Sequence, residues 1–203
     1  MQDDRIKAPE PCERFIDPRT QPFVDGRSRG DLPHLHKSGG TYFVTFCLND
    51  VAHRKALERR FRDGERAPDD VARYSEPGPS EGSCVLGVAE NARIVESAMS
   101  FFQGVRYALH AWVVMPNHAH VVVTPSEGHG LSEILHSWKS FSANRINAYL
   151  GRSGRLWQEE SFDHVIRSEE DLVKFIDYTE NNPVAARLCD SPENWPYSSA
   201  RFR

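Results

Sequence analysis

The chain has 203 residues, 39% of them hydrophobic, and sets 25 basic against 29 acidic side chains for a formal net charge of −4. Such a length suits one domain with decoration, and Cys12, Cys47, Cys84 and Cys189 stand too far apart in sequence for a CxxC zinc knuckle or a disulfide scaffold. The net charge gives no global attraction to nucleic acid, so any such binding has to rest on a local patch. No apolar segment of signal-peptide kind opens the chain, and no run approaches the roughly 20 apolar residues of a spanning helix, so a cytoplasmic protein without a membrane partner is expected.

Residues 1–33 mix Pro, Gly, Asp and Arg without an apolar period and are expected to form a flexible leader to a single domain over 34–203. The pair Gly39-Gly40 introduces TYFVTFCL, a run apolar on both faces that predicts a central strand over 41–48. A short charged helix is expected over 53–62, followed by a surface insertion over 62–83 rich in turn formers. Val88, Ala92, Val95, Met99 and Phe102 recur at helical spacing over 88–103, with Gly104 as a stop. RYALHAWVV and HAHVVVT then read as two strands of a hairpin, separated only by Met115, Pro116 and Asn117.

Leu131, Ile134, Leu135, Trp138 and Phe141 mark a second amphipathic helix to about residue 150, and FDHVIR at 162–167 is a fourth strand. A last helix starts after Ser168, an N-cap residue with Asp171 at the capping-box position and acids in the first turn, where the macrodipole favours them. The order β-α-β-β-α-β-α predicts an α+β, ferredoxin-like split βαβ sheet with an additional C-terminal helix. In that arrangement the helices lie on one face, and the other is the candidate for a free face carrying the histidines.

His118 and His120 share one face of their strand while Ala119 and Val121 take the other. Two neighbouring imidazoles are costly to bury without partners, and they serve either as hydrogen-bonded strand residues or as metal ligands. On the last helix Leu172, Phe175, Ile176 and Thr179 form one stripe, and Lys174, Tyr178 and Asn182 fall on another. Tyr178 is therefore expected off the core stripe, as a half-exposed tyrosine or as a functional one, and Pro183 biases Asn182 away from regular helix. Residues 139–155 hold Lys139, Arg145, Arg152 and Arg155 without an acid and with Phe141 and Tyr149 among them, a pattern for a strand-binding groove or for a solvated helix face with core aromatics. Lys174 joins these as a further candidate for DNA contact. His164 reads as a satisfied strand histidine, and Trp157, Trp195 and Tyr197 as packing residues of a C-terminal cap.

HAH after MPN, GRLWQEESFDHVIRSEEDLVKFIDYTENNPVAARL and the closing NWPYSSARFR together resemble the REP-associated tyrosine transposases, within the single-tyrosine HUH transposase superfamily. The resemblance runs from about Leu35 to the C-terminus; the 62–83 segment departs from it as an insertion. It implies a ferredoxin-like fold, a divalent cation held by His118, His120 and Asn182, and Tyr178 as nucleophile. The implied reaction is metal-dependent cleavage and rejoining of single-stranded, hairpin-forming repeat DNA by transesterification through a 5′-phosphotyrosine. A site without thiolates suits Mg or Mn better than Zn. The protein is expected to act as a monomer or homodimer. A non-catalytic ferredoxin-like binder that stacks single-stranded bases on its sheet is the alternative, and a nuclease using metal-activated water is a third reading.

Overall fold

The computed structural model describes residues 39–49 and 83–203. The expected leader, the 53–62 helix and the 62–83 insertion, apart from Ser83, lie outside the described residues. Strands β1 (Tyr42–Cys47), β2 (Tyr107–Val114), β3 (His118–Pro125) and β4 (Phe162–Val165) form one antiparallel sheet in the order β2-β3-β1-β4. Helix α1 (Ala89–Ser100) follows β1, α2 (Leu131–Tyr149) follows β3, and α3 (Glu169–Ala185) follows β4. With the first and third strands central, this is the split βαβ topology expected of the sequence.

Strand alternation divides the core in two. Tyr42, Val44 and Phe46 of β1 and Ala119, Val121 and Val123 of β3 point to the side where α1 supplies Val95 and Met99 and α2 supplies Ile134, Trp138 and Ile146. Trp138 donates its indole proton to the Tyr107 hydroxyl at 2.9 Å, and that hydroxyl donates to the Met99 carbonyl at 2.7 Å, so the polar tips buried in this layer are satisfied. Helix α1 ends at Ser100, and Gly104, at φ 78°, takes the left-handed conformation that turns the chain into β2.

The opposite, histidine-bearing face is not free. Phe43, Ala111, Val122 and Ile166 form a second cluster there with Phe175 of α3, and Phe162, Leu172, Ile176 and Tyr178 pack around it. The reason lies in β1, whose histidine-side face carries the large Phe43 between Thr41 and Thr45, and that ring needs cover as the inward residues do. Helix α3 begins as the sequence predicts, with Asp171 N donating to Ser168 Oγ at 3.1 Å.

The C-terminal residues close the β2 edge. Val113 bridges Ser198, Val114 N donates to Tyr197 O at 2.8 Å, and Trp195 Nε1 donates to Val114 O at 3.0 Å. Trp195 and Tyr197 thus belong to the expected cap. Trp157 does not: it bridges Leu48, lies edge-on to Phe46 and donates its indole proton to Ser142 Oγ at 2.9 Å within the main core. Among the described residues no helix is long and apolar enough to cross a membrane.

Candidate functional site

His118 opens β3, opposite Cys47 of β1, and His120 lies opposite Thr45. Each imidazole is 1% exposed, so each needs polar partners. His118 Nδ1 donates to Asn117 Oδ1 at 2.6 Å, and His120 Nδ1 lies 2.7 Å from Thr45 Oγ1. The two Nε2 atoms converge at 3.0 Å. Because an amide oxygen only accepts, His118 carries its proton on Nδ1 and aims the Nε2 lone pair at its neighbour. The Thr45 hydroxyl serves either tautomer of His120, so the gap between the Nε2 atoms is closed by a shared proton or by a cation that accepts from both.

The spacing suits a cation. Two ligands at about 2.1 Å, subtending a right angle at one metal, stand about 3.0 Å apart, the edge of an octahedron. Outer hydrogen bonds that fix Nδ1 and free Nε2 for ligation are the usual support of metal-binding histidines. Among the described residues no group of three or more His, Cys, Asp or Glu could hold a metal ion, so a further protein ligand drawn from these residues has to be of another kind.

Asn182 is of such a kind. It is 4% exposed and lies one turn beyond Tyr178 on α3. The helix continues through Pro183 to Ala185, contrary to the bend expected at Asn182, whose carbonyl accepts from Ala186 N at 2.9 Å. Pro183 supplies no N–H, so the helical ladder lacks one bond in its last turn. Arg187, at φ 58°, turns the chain, and Leu188 N donates to Pro183 O at 2.8 Å, which satisfies a terminal carbonyl. Tyr178 sits at the margin of the buried face rather than off it. Its half-buried ring stands edge-on to His120 and to Phe43, with centroids 5.7 Å away in each case.

His164 shares this face across the sheet, its ring against Phe175 at 5.1 Å, with Phe43 and Phe175 between it and the histidine pair. The supporting residues Thr45 and Asn117 were not legible as such. Asn117 adjoins the pair in sequence, but Thr45 reaches His120 only through the β1–β3 register.

The basic residues are dispersed. Lys139 Nζ donates to the carbonyls of Gln158, Glu159 and Glu160 at 3.1, 3.2 and 3.4 Å, and burial lowers its ammonium to about 8. Arg155 pairs with Glu159 at 3.0 Å and Lys174 approaches Asp171 at 3.7 Å, both on the surface. Arg145 and Arg152 are exposed, and so are Phe141 and Tyr149, at 49% and 57%, so these aromatics are not core. All but Lys174 belong to α2 and the loop after it, and α2 covers the sheet face opposite the histidines.

Residues 88–181 match the family described as "Transposase IS200 like". The REP-associated tyrosine transposase of Escherichia coli (strain K12) is 28% identical over 93 residues, which cover 46% of this chain and 54% of that protein. A Haemophilus influenzae (strain ATCC 51907 / DSM 11121 / KW20 / Rd) protein whose name refers to the same kind of transposase is 34% identical over 61 residues, 30% of this chain and 33% of that one. The matches thus span about half or less of these relatives. A solved structure described as the REP-associated tyrosine transposase bound to a REP hairpin shares the fold, with a TM-score of 0.58 at 19% identity over 85% of this chain and 84% of that one. In residues 88–181 the chain carries the sequence pattern of the IS200-like transposases, and its likeness in sequence and fold is to the REP-associated tyrosine transposases.

Proposed function

We propose that the protein is a transposase-type enzyme that cleaves and rejoins single-stranded, hairpin-forming repeat DNA, with Tyr178 as nucleophile. The observation that supports this reading is the meeting of two features on one sheet face, the converging Nε2 atoms of His118 and His120 and the Tyr178 ring beside His120; Asn182 follows one turn later on the same helix. In the step proposed, the Tyr178 oxygen bonds to the scissile phosphorus as the bond to the 3′-oxygen breaks. The tyrosine proton is given up, the 3′-oxygen takes one, and the phosphodiester energy is kept in a 5′-phosphotyrosine for rejoining.

A tyrosine hydroxyl of ordinary pKa near 10 is a weak nucleophile toward an anionic phosphodiester. A divalent cation, Mg or Mn, held by His118, His120 and Asn182, would neutralise phosphate charge and align the in-line attack. The chain's own residues pre-arrange the rest. Thr45 and Asn117 hold the imidazoles, and packing on Phe43 and His120 limits the Tyr178 ring to few orientations, which lowers the entropic cost of attack.

The substrate reading draws on the solved relative described as bound to a REP hairpin. Arg145, Arg152 and Arg155 are proposed phosphate contacts with Phe141 and Tyr149 as stacking surfaces, and Lys174 a contact on the Tyr178 helix. Lys139, engaged with three carbonyls, contributes less than the sequence suggests. Three arginine contacts and Lys174 correspond to a log-log salt slope of about −3 for a single strand. A monomer or homodimer in the cytoplasm fits this role. The sheet-stacking alternative loses its platform, because α3 covers the histidine face and α1 and α2 cover the other. The test compares one labelled sequence as hairpin, as unstructured strand and as duplex with Mn or Mg. Cleavage confined to unpaired DNA beside the hairpin supports the reading, and equal cleavage of the duplex overturns it, since a stacked duplex resists bending to an in-line geometry.

A further inference from the structure

Glu180 is a buried charge that the proposed reaction does not use. It lies on α3 two residues after Tyr178 and two before Asn182, with a side chain 9% exposed. Burying a carboxylate is costly unless it is paired and hydrogen-bonded. Both conditions are met from the C-terminus: Ser199 Oγ donates to Glu180 Oε1 at 2.8 Å, and Arg203 Nε donates to the same oxygen at 2.9 Å.

The two donors are themselves anchored on the edge strand. Ser199 Oγ accepts from Trp112 N at 3.0 Å, and the Arg203 guanidinium also donates to His110 O at 3.3 Å. Glu180 therefore links the Tyr178–Asn182 turn of α3 to β2 by way of the tail. Phe175, Leu172 and Ile176 also pack α3 on the sheet through apolar contacts, which are non-directional. The carboxylate contacts are directional and charge-assisted, and they sit on the turn that matters.

We infer that Glu180 is a positioning residue: through Ser199 and Arg203 the C-terminal tail fixes the seat of the Tyr178–Asn182 turn on the sheet. The inference rests on the reading of Tyr178 given above. It makes the NWPYSSARFR segment part of the reaction apparatus and not only an edge cover.

The test uses the full chain with Ser199→Ala, Arg203→Ala and Glu180→Gln, and with Ser199→Thr as the variant that keeps the hydroxyl. Single-turnover formation of the protein–DNA adduct at saturating hairpin is measured beside hairpin affinity, thermal midpoint and amide hydrogen exchange over residues 176–183. Adduct formation should slow about tenfold or more, as small misplacements of reacting groups do, with hairpin affinity retained and Ser199→Thr close to wild type. Exchange at 178–182 should quicken while β3 is unchanged. Wild-type rates and exchange in Ser199→Ala and Arg203→Ala overturn the inference, and so does a joint fall of rate, affinity and midpoint that Ser199→Thr fails to rescue. Absence of any adduct in the wild type rejects Tyr178 as nucleophile, whereas the exchange data still decide whether the tail seats the helix.

Discussion

Thr45→Val is the sharpest probe of the histidine pair. It exchanges a hydroxyl for a methyl of similar size, keeps the branching that suits a strand, and removes the group 2.7 Å from His120 Nδ1. Two consequences separate. The imidazole is 1% exposed, so loss of one buried partner should cost the fold about 1–3 kcal/mol. If the pair binds a metal, loss of an outer partner of a ligating histidine should also weaken Mn affinity about 10- to 100-fold, roughly 1.4–2.7 kcal/mol. Urea titration reads the first and Mn titration followed by electron paramagnetic resonance reads the second. Lost stability with unaltered Mn affinity would refute the claim that Thr45 orients His120 for a cation and would leave it a plain strand hydrogen bond.

Lys139 titrates near 8 in the folded protein because it is buried, against an ordinary value of 10.5. Between those two values the unfolded chain binds more protons than the folded one, so this residue makes stability rise with pH across the window, and its contribution levels off below about 8, where both states are protonated. Lys139→Met should remove that slope in pH-dependent urea titrations; an unchanged slope rules out Lys139 as its source. Ser142→Ala deletes the acceptor of the Trp157 indole proton where both residues are at most 3% exposed, and should cost about 1–3 kcal/mol in denaturant unfolding. A loss well below that range would mean that the indole finds another acceptor.

Much of the fold was legible because the strongest signals were local. The alternation of β1, the three-residue hairpin link and the Ser168 cap each depend on neighbours in sequence, and each has the expected place. The burial of the histidine face was less so. A helical stripe of Leu172, Phe175 and Ile176 says that α3 packs on something but not on which layer, although Phe43 on the histidine side of β1 held the clue. Trp157 was misplaced for the same reason: its partners Ser142 and Phe46 are distant in sequence. At the site, the same-face geometry of His118 and His120 followed from the strand period alone. Thr45 and Glu180 did not stand out, since one acts through strand register and the other through the docked C-terminus.

The central claim is that Tyr178 becomes covalently joined to DNA, and denaturing gel analysis of labelled hairpin DNA with Mn or Mg tests it most directly. The account predicts protein-linked label with the wild type and none with Tyr178→Phe, which removes one oxygen, keeps the ring against His120 and Phe43, and should still bind the hairpin. Undiminished protein-linked label in Tyr178→Phe, or cleavage by the wild type that yields only free ends and no linked protein at any time, would contradict it.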